Sequence, residues 1–306
     1  MVAQIRNFVA NLIFFMGGGR TNRVRTSRKL RVVFAVFRAP YAMLRAVLLI
    51  PKPLVFRQLT MVICTKCSLR CRDCANLISI YARSGNAYFV SFEKIEAVFA
   101  KLIAVVDYIF ELQVIGGEPF LHEELGNILK FVSTTNKVGS IVVTTNGTVM
   151  PKSDLISVLS NPKLYVVVSD YGNISKKADE VVEFCDSNDI NCIRVRLPFW
   201  HQNGSLEKRG RSLLLSKMVF LFCRNPECLT LLRGNLYHCP RQAHGVDLGL
   251  IPARDGDYVD IASTPERDLR VRLTNFRLKV STIAACDHCD NARGIPMKKI
   301  EPAIQH

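Results

Sequence analysis

Apolar residues along this chain fall into short runs separated by longer stretches of helical period. Gln58 to Ile63, Phe110 to Ile115, Ile141 to Thr145, Leu164 to Val168 and Cys192 to Leu197 are runs rich in strand formers. Between them, Phe92 to Val106, Glu123 to Thr134, Lys152 to Leu159 and Lys177 to Ser187 repeat apolar positions as helices do. Strands alternating with helices predict an α/β chain with a parallel sheet and right-handed crossovers. The polar loops then collect at the carboxyl ends of the strands, where barrel-like folds keep their chemistry.

The amino-terminal part reads differently. Ile5, Phe8, Val9, Leu12, Phe15 and Met16 share helical spacing, and Leu30, Val33, Phe34, Phe37, Tyr41, Leu44 and Leu48 form a second apolar stripe. Arg31, Arg38 and Arg45 recur every seven residues on another face. Residues 1–57 hold eleven Lys or Arg and no acidic residue, within a chain of 306 residues that has 41 basic and 26 acidic side chains. No apolar run approaches the roughly 20 residues that span a bilayer. A basic amphipathic arm of this kind suits peripheral contact with an anionic membrane surface. The chain lacks a recognisable nucleic-acid reading module, so its charge is not assigned to nucleic acid.

Eleven cysteines without a signal peptide argue for a reducing, cytoplasmic location rather than a secreted disulfide scaffold. Their spacing carries the chemistry. Cys67, Cys71 and Cys74 form a C-x3-C-x2-C run directly after the first predicted strand. Three thiolates hold three irons of a [4Fe-4S] cubane and leave the fourth open to a cofactor with its own donor atoms. Zinc is the alternative for such thiolates, usually with a second pair one loop away. The second run ends in Gly116-Gly117-Glu118-Pro119, the third in Asn146-Gly147 and the fourth in Ser169-Asp170-Tyr171-Gly172.

With the cysteines and the Gly-Gly-Glu-Pro loop in this order, residues 58–197 resemble the radical SAM superfamily. The resemblance implies a partial (β/α) barrel of about five or six parallel strands over residues 58–205. It also implies a cluster on Cys67, Cys71 and Cys74 that binds S-adenosylmethionine. Gly116, Gly117, Glu118 and Pro119 would meet the methionyl amine, and Asn146 and Ser169 the ribose and carboxylate. Asp73 departs from the family pattern, where an aromatic residue often packs near adenine.

Cys223, Gly234, Cys239 and the pair Cys286 and Cys289 make a second group, with Leu229 to His238 reading as a hairpin turned at Arg233-Gly234-Asn235. Residues 206–306 are similar to the twitch/SPASM-like module of radical SAM enzymes such as aminocyclitol dehydrogenases, which implies a β-hairpin/helix module holding an auxiliary [4Fe-4S] cluster. Cys228 is a fifth candidate, as ligand or hydrogen donor, and a zinc ribbon is the competing reading. A second, fully ligated cluster suits an electron acceptor.

The expected activity is therefore a dehydrogenation. A hydrogen atom is taken from a carbohydrate, aminocyclitol or polyol-like substrate, with a flavodoxin- or ferredoxin-type donor supplying the first electron. Arg194 and Arg196 lie two apart on the fifth strand and share a face; if that face is the barrel interior, they orient substrate or assist proton loss. The alternatives are an epimerase with a cysteine hydrogen donor (Cys228, Cys185 or Cys192), a peptide-modifying maturase, and a non-catalytic zinc adaptor. Trp200 and His201 follow the fifth strand and are candidates for the substrate opening.

Overall fold

The computed structural model describes residues 53–306. Five parallel strands follow the apolar runs: β1 (Val55–Val62), β2 (Tyr108–Ile115), β3 (Val138–Thr145), β4 (Leu164–Asp170) and β5 (Cys192–Arg196). The helices between them are α1 (Ile78–Ser84), α2 (Phe92–Val105), α3 (Leu125–Thr134), the single turn α4 (Ile156–Leu159) and α5 (Ala178–Ser187). A short strand β6 (Trp200–His201) and helix α6 (Leu213–Leu221) lead to β7 (Cys228–Leu232) and β8 (Asn235–Tyr237). Helix α7 (Pro240–Asp247), strand β9 (Tyr258–Asp260), helix α8 (Glu266–Lys279) and strand β10 (Lys299–Ile300) complete the chain.

The main sheet has the order β5-β4-β3-β2-β1-β7-β8-β9. Strand β7 is parallel to β1, with Gln58 opposite Cys228 and Met61 opposite Leu231. The sixth parallel strand thus comes from the carboxyl-terminal part and lies beside β1, so residues 206–306 continue the barrel sheet across the expected boundary. The β7–β8 hairpin turns where predicted. Arg233 and Gly234 both have positive φ, 47° and 86°, as a two-residue turn matching the strand twist requires.

Register sorts the side chains onto two faces. Leu59, Leu112 and Ile141 align across β1, β2 and β3, as do Met61, Val114 and Val143. This face is closed by Phe99 and Leu102 of α2, Ile128 and Leu129 of α3, Val181 of α5 and Leu273 of α8, all with almost no exposure. Burying so many large side chains, each stabilising by about 1.5–3 kcal/mol, is what holds the helices to the sheet. The opposite face is polar, with Gln58 of β1, Glu111 and Gln113 of β2 and Ser140 of β3 half-buried and Thr60 of β1 buried.

The expected amino-terminal helical arm, residues 1–57, lies outside the described residues except for its last five positions. No helix among the described residues is long and apolar enough to cross a membrane.

Candidate functional site

The cluster loop leaves the carboxyl end of β1 and is gripped by the loop after β2. Gly117 donates its N–H to Cys64 O at 3.0 Å and Glu118 to Lys66 O at 2.9 Å. Glycine is required here for space: a Cβ on Gly116 would sit 2.1 Å from Cys64 O, and one on Gly117 would sit 2.1 Å from Lys66 O. Cys67, Cys71 and Cys74 then open onto one cleft of about 80 Å³, with Gly116, Gly117, Asn146, Tyr171 and Trp200 in its wall. Tyr171 and Trp200 meet edge to face, their rings 5.4 Å apart.

Each sulfur is met by hydrogen-bond donors. Cys67 Sγ receives the N–H of Leu69 at 3.4 Å and the side-chain amide of Asn146 at 3.5 Å. Cys71 Sγ receives Gln305 Nε2 at 3.4 Å. Backbone N–H groups of Ile78, Asn76 and Leu77 serve Cys74. Burial pushes the Cys67 thiol up to about 12 and raises those of Cys71 and Cys74. A bound iron reverses that order, because a coordinating thiol is deprotonated outright. Three sulfurs with N–H groups already aimed at them, on one cleft beside a glycine cradle, fit a three-thiolate cluster.

Glu118 does not reach the cleft. It is fully buried, and its carboxylate accepts Asn146 N–H at 2.8 Å and Phe120 N–H at 3.1 Å. Burial raises it to about 7, against the pull of those donors. Pro119 is buried beside it and opens a 3-10 turn. Of the residues expected near S-adenosylmethionine, Gly116, Gly117 and Asn146 line the cleft. Ser169 lies on the polar face of β4 and its carbonyl accepts from Ser175 Oγ. Asp73 faces away, with its carboxylate taking Gln202 Nε2 at 3.0 Å and Arg72 Nε at 3.0 Å. Tyr171 and Gln305 carry no signal by composition alone. Tyr171 stands in a strand-end loop that periodicity flags.

The second cysteine group gathers elsewhere. Cys223, Cys239, Cys286 and Cys289 line a cavity of about 510 Å³ together with His238, Arg277, Pro53 and Leu54. This cavity lies toward the amino end of β1, opposite the first cluster loop. Gln242 N–H donates to Cys239 Sγ and Asn291 N–H to Cys289 Sγ, both at 3.4 Å. His238 Nε2 is buried at the wall without a hydrogen-bond partner, which fits a cavity whose bound group supplies one. Burial lowers His238 to about 4, so the ring stays neutral. Four thiols with such donors fit a fully ligated cluster. Cys228, on the polar face opposite Gln58, lies outside that lining and donates to Asn225 O at 3.1 Å. Among the described residues no three His, Cys, Asp or Glu side chains converge on a single-ion site.

Two arginines that sequence patterning does not single out organise this region. Arg211 donates to Cys286 O at 2.8 Å and Cys289 O at 2.9 Å, and pairs with Asp290. Buried Arg241 donates to the carbonyls of His288, Gly204 and Ser205.

Arg194 and Arg196 are placed differently from the expectation. Val168 pairs with Arg194 and Asp170 with Arg196, so both arginines lie on the helix-side face, not the polar interior one. Arg194 pairs with Asp170 at 3.0 Å and with Asp179, and Arg196 is 72% exposed. Ile193 and Val195 take the interior positions. Cys185 and Cys192 hydrogen-bond each other between α5 and β5.

Residues 57–188 match the family model of the 4Fe-4S single cluster domain. No curated protein matches the sequence. Among solved structures, BtrN in complex with AdoMet and 2-DOIA shares 13% identity over 82% of this chain and 97% of its own, with a TM-score of 0.47. Native anSMEcpe with bound AdoMet shares 14% over 72% of this chain and 82% of its own, TM-score 0.47. Streptococcus suis SuiB bound to S-adenosylmethionine shares 15% over 55% of this chain, TM-score 0.37, and this chain spans 40% of its length. None of these three bears on the role of a residue here. The cysteine motif, the cleft built around it and the match to the 4Fe-4S single cluster domain over residues 57–188 agree that this part of the chain is built to hold a [4Fe-4S] cluster.

Proposed function

We propose that this protein is a radical SAM enzyme, an oxidoreductase that uses S-adenosylmethionine to act on a carbohydrate, aminocyclitol or polyol-like alcohol, with a second [4Fe-4S] cluster on Cys223, Cys239, Cys286 and Cys289 as electron acceptor. A first cluster held by Cys67, Cys71 and Cys74 would supply one electron, drawn from an external flavodoxin- or ferredoxin-type donor, for splitting S-adenosylmethionine into methionine and a 5'-deoxyadenosyl fragment able to take a hydrogen atom from carbon. A second cluster held by Cys223, Cys239, Cys286 and Cys289 would accept the electron left on the carbinol carbon once that hydrogen atom is gone, while a base takes the hydroxyl proton. The sum is a two-electron oxidation to a ketone.

The observation that carries this reading is the convergence of the four cysteines on one cavity. A polar ladder on the interior face supports the substrate class. Glu111 Oε1 accepts Gln58 Nε2 and Gln113 Nε2, each at 2.9 Å, and Thr60 Oγ1 donates to Gln113 Oε1 at 3.3 Å. Half-buried amides and a carboxylate held in one row suit the hydroxyls of a polyol, and Glu111 is the acceptor we assign to the departing proton. The basic pattern of residues 1–57 supports placing the enzyme against an anionic membrane surface.

Anaerobic reconstitution tests the reading. About eight irons per chain are expected, with one 5'-deoxyadenosine formed per ketone when a panel of amino sugars, aminocyclitols and polyols is supplied with strong reductant. About two zinc ions and no cleavage of S-adenosylmethionine overturn it in favour of the adaptor. Solvent deuterium entering a product of unchanged oxidation state overturns it in favour of the epimerase.

A further inference from the structure

The far end of the chain returns to the first cluster loop. Strand β10 pairs antiparallel with β6, placing Ile300 opposite Trp200 and Lys299 opposite His201. The chain then turns at Ala303, fully buried with a φ of 55°, and runs antiparallel to the cluster loop. Arg72 donates its N–H to Ile304 O at 2.8 Å and His306 to Arg70 O at 3.1 Å. The side chain of Gln305 completes the clasp: Oε1 accepts Arg70 N–H at 2.7 Å, and Nε2 donates to Cys71 Sγ at 3.4 Å and to Ala303 O. On the other flank, Gln202 holds Asp73 at 3.0 Å.

The three cysteines differ in where their donors come from. Cys74 is served by its own loop, and Cys67 by its loop together with Asn146. The side-chain donor to Cys71 comes from 234 positions away. We propose that residues 298–306 are a strap that fixes the middle cysteine, and that Gln305 is a positioning residue whose amide N–H on Cys71 Sγ sets the electron affinity of the first cluster. A hydrogen bond to a ligand sulfur offsets the negative charge added on reduction, so it favours the reduced cluster. The inference rests on the radical SAM reading and is independent of which substrate is oxidised.

The test is a redox titration of the full, reconstituted chain followed by electron paramagnetic resonance. The first cluster is recognised by the change in its signal when S-adenosylmethionine is added. Gln305→Ala shifts the reduction equilibrium about three- to tenfold toward the oxidised form, about 30–60 mV more negative for a one-electron couple. Gln305→Glu keeps an acceptor for Arg70 but offers Cys71 no donor and adds a charge, so its shift is at least as large at full iron content. A shift in the uncharged Gln305→Ala variant at full iron content separates the sulfur hydrogen bond from a merely structural strap. Wild-type potentials in both variants overturn this inference alone. A wild-type chain that takes up no iron overturns it together with the cluster reading.

Discussion

Glu118 and Asn146 are joined by a buried hydrogen bond of 2.8 Å, backbone N–H to carboxylate, that ties the loop after β2 to the loop after β3. The side chain of the same asparagine reaches Cys67 Sγ. Glu118 therefore acts on the cluster through another residue. In Glu118→Ala the N–H groups of Asn146 and Phe120 are left buried and unpaired, at a cost of about 2–4 kcal/mol. Urea unfolding reads the loss, and iron uptake at the first site falls with it.

The same carboxyl gives a pH signature. Its folded value of about 7 lies above the ordinary 4.5, so the folded state holds a proton that the unfolded state has released. The stability it contributes is fully present below 4.5 and is lost as pH rises through about 7. Relative to Glu118→Gln, which does not titrate, the wild type loses on the order of 3 kcal/mol across that window. Parallel stability curves for the two proteins would place Glu118 at its ordinary value.

Gly117 sets a steric limit. The atoms a methyl group would meet are the Lys66 carbonyl and the Cys67 Cβ, at 2.1 and 2.8 Å, and backbone cannot swing aside as a side chain can. Gly117→Ala forces the cluster loop outward, at about 3 kcal/mol, the upper range of overpacking. Iron content is expected to fall from about eight to about four per chain as the first cluster is lost. A Gly117→Ala protein with full iron and normal cleavage of S-adenosylmethionine would show that the loop yields without harm.

Much of this arrangement is legible in the sequence because it is local. Apolar runs mark the first five strands of the barrel to within three residues at either end, since strand formation there depends on each run's own side chains. The hairpin at Arg233 and Gly234 follows from turn chemistry. Pairing of β7 with β1 is not legible, because the partners are about 170 residues apart and nothing in either names the other. The facing of Arg194 and Arg196 also escapes periodicity. Alternation says that they share a face, whereas only the register against Val168 and Asp170 says which. Gln305 is the extreme case: a polar residue whose importance lies wholly in where the fold brings it.

Single cysteine substitutions separate ligands from bystanders in the second group. Cys286→Ala and Cys289→Ala each remove a sulfur from the lining of the larger cavity. Both should reduce iron to about four per chain while leaving the response of the first cluster to S-adenosylmethionine intact. Cys228→Ala, whose sulfur lies outside that lining, should keep about eight. Loss of iron in Cys228→Ala would move it into the ligand set and displace one of the other four.

Arg241 is one of the two arginines that tie the second site to the rest of the chain. Its guanidinium is buried and joins three carbonyls, those of Gly204 and Ser205 beyond β6 and that of His288 between the last two cysteines. Burial lowers its pKa, with the sulfurs of Cys289 and Cys239 among the groups that pull it back up. Arg241→Met keeps most of the apolar stem but leaves three carbonyl oxygens without a donor, a loss on the order of 3 kcal/mol. A positive charge beside two ligand sulfurs also favours the reduced cluster, since net charge is one of the terms that set its potential. Two measurements are therefore expected to move together in Arg241→Met: the denaturant midpoint falls, and the potential of the cluster that does not respond to S-adenosylmethionine becomes more negative. Arg241→Lys, which restores the charge without the planar fork, should recover the potential more fully than the stability. A potential unchanged in both variants would confine Arg241 to holding the loops together.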